Sequence, residues 1–230
     1  MKFTSRHLLL LLAVSWMVTG CAWFGADRSE KPASELVQEG VAAYDRGKYG
    51  EALKAFEQLK NWYPFSQYAI LAELKIADAH YHLKQYPEAV VAYESFERLH
   101  PRNEAVPYVI YQIGRCHFEQ IDTVDRDQST ARQALETFQR LMRQFPDDPH
   151  ARKAEHHIVT CLQSLAGHEM YVGAYYFRQA RYRAALERYR TVIEKYPDVG
   201  HHREALLYIA RCEAYRPVDA SAAQRTASGP

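Results

Sequence analysis

The sequence predicts an all-α protein, a solenoid of about five helical hairpins, on three observations. First, an alanine, an aromatic four residues later and a proline twelve residues after the alanine recur four times. The sets are Ala52/Phe56/Pro64, Ala89/Tyr93/Pro101, Ala134/Phe138/Pro146 and Ala185/Tyr189/Pro197. Second, a tyrosine precedes the alanine by three residues in Tyr49, Tyr86 and Tyr182, with Ala131 the exception. Third, the stretches before these sets repeat a small residue followed by an aromatic, in Gly40/Tyr44, Ala77/Tyr81 and Gly114/Phe118. A fixed internal period marks a repeat architecture. The alanine lets antiparallel helices approach, the aromatic on the same face fills their seam, and the proline stops the hairpin. Tyrosine, alanine, aromatic and proline in this order resemble the second helix of a tetratricopeptide (TPR) repeat, so the fold read here is a TPR-like α-solenoid.

Along the chain, residues 1–20 come first and lie outside that fold. Lys2 and Arg6 precede the apolar run "HLLLLLAVSWMV", about a dozen residues and too short to span a bilayer, which takes about 20. This is a signal peptide. It ends in "VTGC", which looks like a bacterial lipobox whose Cys21 becomes the acylated first residue of the mature protein. By the lipoprotein sorting rule, Ala22 after that cysteine directs the chain to the outer membrane, facing the periplasm. Residues 21–32 form the lipidated N-terminus and tether, and Ala22 to Pro32 reach roughly 35 Å if extended. The solenoid then occupies 33–216, with helices expected at 33–46, 49–62, 66–83, 86–99, 104–120, 128–144, 148–165, 167–180, 182–196 and 200–214. The phase of the fourth repeat stays open, because "EMYVGAYYFRQARYRAALERYRTVIEKYP" reads as a hairpin of its own. Residues 217–230, small and polar, are expected to form a disordered tail.

Composition narrows the function. The precursor carries 29 Lys+Arg against 28 Asp+Glu, and removing the signal leaves a slightly acidic chain, against nucleic-acid binding. Cys116, Cys161 and Cys212 are an odd set in apolar helical runs, read as buried thiols. No cofactor or metal is expected. His80 and His82 point to different sides of a helix, and His157 with Cys161 supplies two ligands where zinc takes three or four. "DTVDRDQ" (122–128) lacks the glycine and glutamate of a calcium loop, and reads as a helix start with Asp127 or Ser129 capping amides. No nucleophile–base arrangement can be assembled, so an enzyme is not expected. "RQARYRAALERYR" (178–190) holds Arg178, Arg181, Arg183, Arg188 and Arg190 against Glu187. It is either a solvated face or a docking surface for an acidic partner.

A lipobox, a short tether, TPR-like hairpins and the stretches "WYPFSQYA", "RLHP" and "VDRDQSTARQALETFQRLMRQFPDDPHARKA" (124–154) together resemble the BamD family of outer-membrane lipoproteins. The resemblance covers roughly residues 33–214, including a longer loop between Phe118 and Ala134. It implies an assembly factor of the β-barrel assembly machinery, anchored by an N-acyl diacylglycerol on Cys21. The C-terminal hairpins would dock on the last POTRA domain of a BamA-like protein through Arg188, with Arg181, Arg183 and Arg190 beside it. The N-terminal hairpins would receive unfolded outer-membrane proteins. Tyr44, Tyr81 and Phe118 form a column with Asp78 and His82 beside it, and they either line that groove or pack between repeats. Phe65 and Tyr68 are surplus rings after Pro64, either client-facing or packing. The chain stops soon after Arg216, without the longer helical C-terminus of many members. Other lipoproteins of the machinery are implied as partners, and whether they meet the short C-terminus stays open. The alternative is another periplasmic TPR lipoprotein adaptor, a secretin pilotin or a peptidoglycan-enzyme scaffold, against which the "DRDQ" segment counts.

Overall fold

A computed structural model describes residues 31–227, with side chains to 215; the signal peptide, Cys21 and tether residues 21–30 lie outside the described residues. Among these, nine helices run in order: α1 (Ala33–Asp45), α2 (Tyr49–Trp62), α3 (Ala69–His82), α4 (Tyr86–Leu99), α5 (Val106–Phe118), α6 (Ser129–Gln144), α7 (Pro149–Arg178), α8 (Tyr182–Lys195) and α9 (His202–Ala227). None is long and apolar enough to cross a membrane.

Each repeat is built around one ring set against one small residue. Ala52, Ala89, Ala134 and Ala185 are fully buried, as are Phe56, Tyr93, Phe138 and Tyr189 four residues on. Three of the rings, Phe56, Phe138 and Tyr189, press on the preceding helix where it carries no side chain. A β-carbon at Gly40 would fall 2.6 Å from the Phe56 ring, one at Gly114 2.5 Å from Phe138, and one at Gly173 2.6 Å from Tyr189. Tight turns close three hairpins through one residue in left-handed conformation: Gly47 (φ 74°), Lys84 (φ 60°) and Ala180 (φ 57°). In each, paired backbone bonds end the first helix, as in Gly47 N to Tyr44 O (2.9 Å) and Lys48 N to Ala43 O (2.9 Å). Four apolar clusters follow one another along the stack, on α1–α3, α3–α5, α5–α7 and α7–α9, so each repeat buries its neighbour's face.

Two elements differ from expectation. Helices placed at 148–165 and 167–180 are one 30-residue helix, α7, about 45 Å long. Its first half packs on α5 and α6 through Ala151, Ala154 and Cys161. Its second half forms the last hairpin with α8. The junction contains no proline, and Gly167 serves close approach: a β-carbon there would fall 3.0 Å from Val124 of the α5–α6 loop. α9 runs on to Ala227, into the stretch 217–230 expected as a disordered tail. Alanines at 220, 222, 223 and 227 favour helix there.

The long α5–α6 loop is clamped to α7. The side chain of Gln128, 2 % exposed, donates to the Thr123 and Arg126 carbonyls (both 3.1 Å) and accepts from Ser164 Oγ (2.7 Å). His168 Nδ1 donates to the Val124 carbonyl (2.6 Å). Asp127 Oδ1 accepts from the Ser129 amide (2.7 Å), one of the free donors at the start of α6, while Gln128 stands at the N-cap position. Cys116, Cys161 and Cys212 are free, buried thiols.

Candidate partner-binding site

First helices of successive hairpins bring Tyr44 on α1, Lys75, Tyr81 and His82 on α3, Arg115 and Phe118 on α5, and His157 on α7 into one row. The rings are joined across repeats. His82 stacks on Tyr49 at 4.3 Å between centroids and meets Tyr44 edge-on at 5.6 Å, while Lys75 Nζ lies 4.2 Å from the Tyr44 ring centre. Tyr81 donates to Glu119 (3.2 Å), accepts from Arg115, and meets Tyr86 edge-on. Phe118 contacts His157 edge-on at 4.5 Å, and His157 stacks on the core ring Phe138 at 5.2 Å. Tyr44, Tyr81 and Phe118 are half-buried and His82 is exposed, so the column both packs between repeats and presents ring edges to solvent.

Asp78 is placed differently. It is 2 % exposed and lies beneath the row, accepting from Tyr93 Oη and Tyr108 Oη (both 2.7 Å) and from Lys75 Nζ (3.0 Å). A carboxylate with three donors is satisfied where it lies. It fixes Lys75 and two tyrosines and does not offer itself to a ligand. Phe65 and Tyr68 are not brought to the row either. Their turn lies beside the first turn of α1, whereas Tyr44 is in its last turn; Tyr68 packs on the first core cluster and Phe65 is fully exposed.

Burial raises the Tyr44 and Tyr81 hydroxyls well above their usual range and lowers the His82 imidazole. Burial also works to raise the Glu119 carboxyl, but Arg115 and Tyr81 outweigh it and hold the group below the ordinary range. At neutral pH the row therefore presents neutral rings, with charge confined to Lys75 and the Arg115–Glu119 pair. Lys75, Arg115 and Glu119 escape a search for repeat residues because the rings they meet, Tyr44 and Tyr81, lie on the first helix of the preceding repeat. The signal available was helical spacing, with Lys75 three before Asp78 and Arg115 four before Glu119.

The arginine run spreads around α8. Arg188 turns to α7 and pairs with Glu169 (3.1 Å), Arg190 turns to α9 and pairs with Glu213 (2.8 Å), and Arg183 meets Glu187 on its own helix (3.8 Å). Arg178, Arg181 and Arg183 are exposed. Tyr171 and Tyr175, one turn apart on α7, add exposed rings to the same hairpin at 45 % and 50 % exposure.

Repeated hairpins, an aromatic row along their first helices and a terminal hairpin rich in exposed arginine and tyrosine define a TPR-type scaffold for binding other polypeptides. The chain belongs to the outer membrane lipoprotein family YfiO, which it matches over residues 29–229. It is 33 % identical to the outer membrane protein assembly factor BamD of Caulobacter vibrioides, covering 93 % of this chain and 71 % of that protein. It is 28 % identical to the protein of the same name in Vibrio cholerae, over 90 % of this chain and 88 % of that one. Among solved structures it is similar to a thermophilic TPR protein of Thermus thermophilus, at 16 % identity and a TM-score of 0.43, covering 80 % of this chain and 100 % of the other.

Proposed function

We propose that this chain is a lipid-anchored scaffold of outer-membrane protein assembly that binds a BamA-like partner and unfolded outer-membrane proteins. Its membership of an outer membrane lipoprotein family over nearly the whole solenoid, with relatives named outer membrane protein assembly factor, is the observation that supports the reading. Cys21 is the acylation site, and the lipid holds the protein on the periplasmic face of the outer membrane. The α7–α8 hairpin is the partner-docking end. Arginine and tyrosine are the residue types that dominate protein interfaces, and Arg188, Arg181, Arg183 and Arg190 supply them with Tyr171 and Tyr175. The row of Tyr44, Tyr81, His82 and Phe118 is the client groove. Ring edges and a few fixed charges suit an extended, aromatic-rich segment, and Asp78 positions the groove from below. No step in this role requires a cofactor or a catalytic group.

Crosslinking in native membranes, followed by capture of this protein, tests the reading. A BamA-like protein and unfolded barrel proteins should be recovered; recovery of a secretin or a peptidoglycan enzyme instead would replace it. Arg188→Glu should reduce capture of a POTRA fragment about tenfold or more. Because this change also sets a second carboxylate against Glu169, the double swap Arg188→Glu/Glu169→Arg is the control. It restores the internal pair, and capture should stay low if Arg188 meets the partner.

A further inference from the structure

The turn between α2 and α3 is held from one side and bare on the other. Tyr63 Oη donates to the Lys31 carbonyl (3.0 Å), and Tyr63 and Tyr68 pack on the first core cluster. Held between them, Phe65 is 100 % exposed. Trp62 (40 %), on the last turn of α2, and Ile70 and Leu71, on the first turn of α3, are exposed around it. The next turn along this edge adds Leu99, with exposed Arg98 and Arg102, and Lys60 is exposed beside Trp62. A fixed turn that shows a whole phenylalanine to water gains nothing for the fold, because Phe65 touches no core.

Position identifies what covers it. The aromatic groove lies at the far end of α1 and α3, on the order of 15–20 Å away along helices of 13 and 14 residues. The edge bearing Phe65 is the one at which the chain enters the fold, as the Tyr63–Lys31 bond shows. With Cys21 acylated, Ala22–Pro32 allows this edge to stand no more than roughly 35 Å from the lipid and permits contact. Tryptophan and phenylalanine flanked by lysine and arginine are the side chains that settle at the boundary between acyl chains and anionic headgroups.

We propose that the Trp62–Phe65 turn is a second membrane contact, seated in the headgroup boundary of the leaflet that holds the Cys21 lipid. This rests on the lipid-anchor reading above. The contact fixes the orientation of the fold: the edge made by the first turns of α1 and α3 and the last turns of α2 and α4 faces the bilayer, and the groove is held away from it.

The test uses the full mature protein with Trp23→Phe, which leaves Trp62 as its single tryptophan. It is reconstituted in phosphatidylethanolamine/phosphatidylglycerol vesicles with or without brominated acyl chains. Trp62 emission should shift to the blue and be quenched by the brominated lipid, and Phe65→Ser should abolish the quenching without changing the melting temperature. Emission identical in brominated and plain vesicles, on acylated and vesicle-bound protein, overturns the proposal. So does a shift produced by an aromatic C-terminal barrel peptide and not by lipid, which would make the turn a client contact. The mass of the N-terminal peptide reports acylation separately. If Cys21 proves unmodified, the anchor reading fails, and the turn is judged by sedimentation with excess vesicles. Binding weakened about tenfold by Phe65→Ser supports the contact, and no binding overturns it.

Discussion

Gly114 carries no side chain because the Phe138 ring occupies the place where one would be, and Gly40 and Gly173 stand in the same relation to Phe56 and Tyr189. Gly114→Ala should therefore cost about 1–3 kcal/mol in urea denaturation, as overpacking does in a dense core. Gly50 on α2 has nothing within 4 Å of a β-carbon, so Gly50→Ala should be neutral or slightly stabilising. A similar loss at both sites would show that the cost lies in the backbone and not in the ring. Lys84 holds a left-handed conformation that a β-carbon disfavours. Lys84→Gly should raise stability by roughly 1 kcal/mol, read from the same denaturation curves.

At the scale of the element, α7 and the loop before α6 act as one piece. The loop has no regular backbone ladder of its own, and Gln128 and His168 supply the bonds that replace it. Gln128→Ala leaves two backbone carbonyls and Ser164 without that partner. It should cost about 1–3 kcal/mol and release amide exchange over 122–128, with α1–α4 unchanged by hydrogen-exchange mass spectrometry. Fast exchange spreading into α1–α4 would contradict a local clamp. The ion pair between Arg140 on α6 and Glu97 on α4 shows a second way in which one repeat is tied to the next, here through both terminal guanidinium nitrogens, Nη1 and Nη2.

Across the whole molecule, burial sets the pH response. The imidazoles of His82, His117 and His157 all titrate below their ordinary value of about 6.5, with burial the leading cause in each. A depressed folded value gives stability that is complete above the unfolded value and is lost as pH falls through the folded one. Urea midpoints should hold from pH 8 to 7 and decline below about pH 6.5, with a further decline below the ordinary carboxylate range as Glu119 protonates. The decline should be shallower in His157→Phe, which removes one of the three imidazoles. A midpoint that rises on acidification would invert the sign and refute the assignment.

Sequence alone determined the repeat and where each hairpin stops, because a helix seam demands small and aromatic residues at fixed spacing and Pro64, Pro101, Pro146 and Pro197 each fall two residues past the end of a second helix. The buried thiols and the shared face of Tyr44, Tyr81 and Phe118 were legible for the same reason, since helical period tells which side chains share a face. What only the tertiary structure decided depends on neighbours remote in the chain. The α5–α6 loop packs on Gly167 and leaves α7 unbroken where spacing alone divided it. Tyr93 and Tyr108 take Asp78 out of the groove, and Glu169 and Glu213 draw Arg188 and Arg190 to opposite sides of α8. The aromatic turn at 62–68 divides the same way: its proline is a stop that the period reveals, but only the fold separates Tyr63 and Tyr68, which pack, from Phe65, which does not.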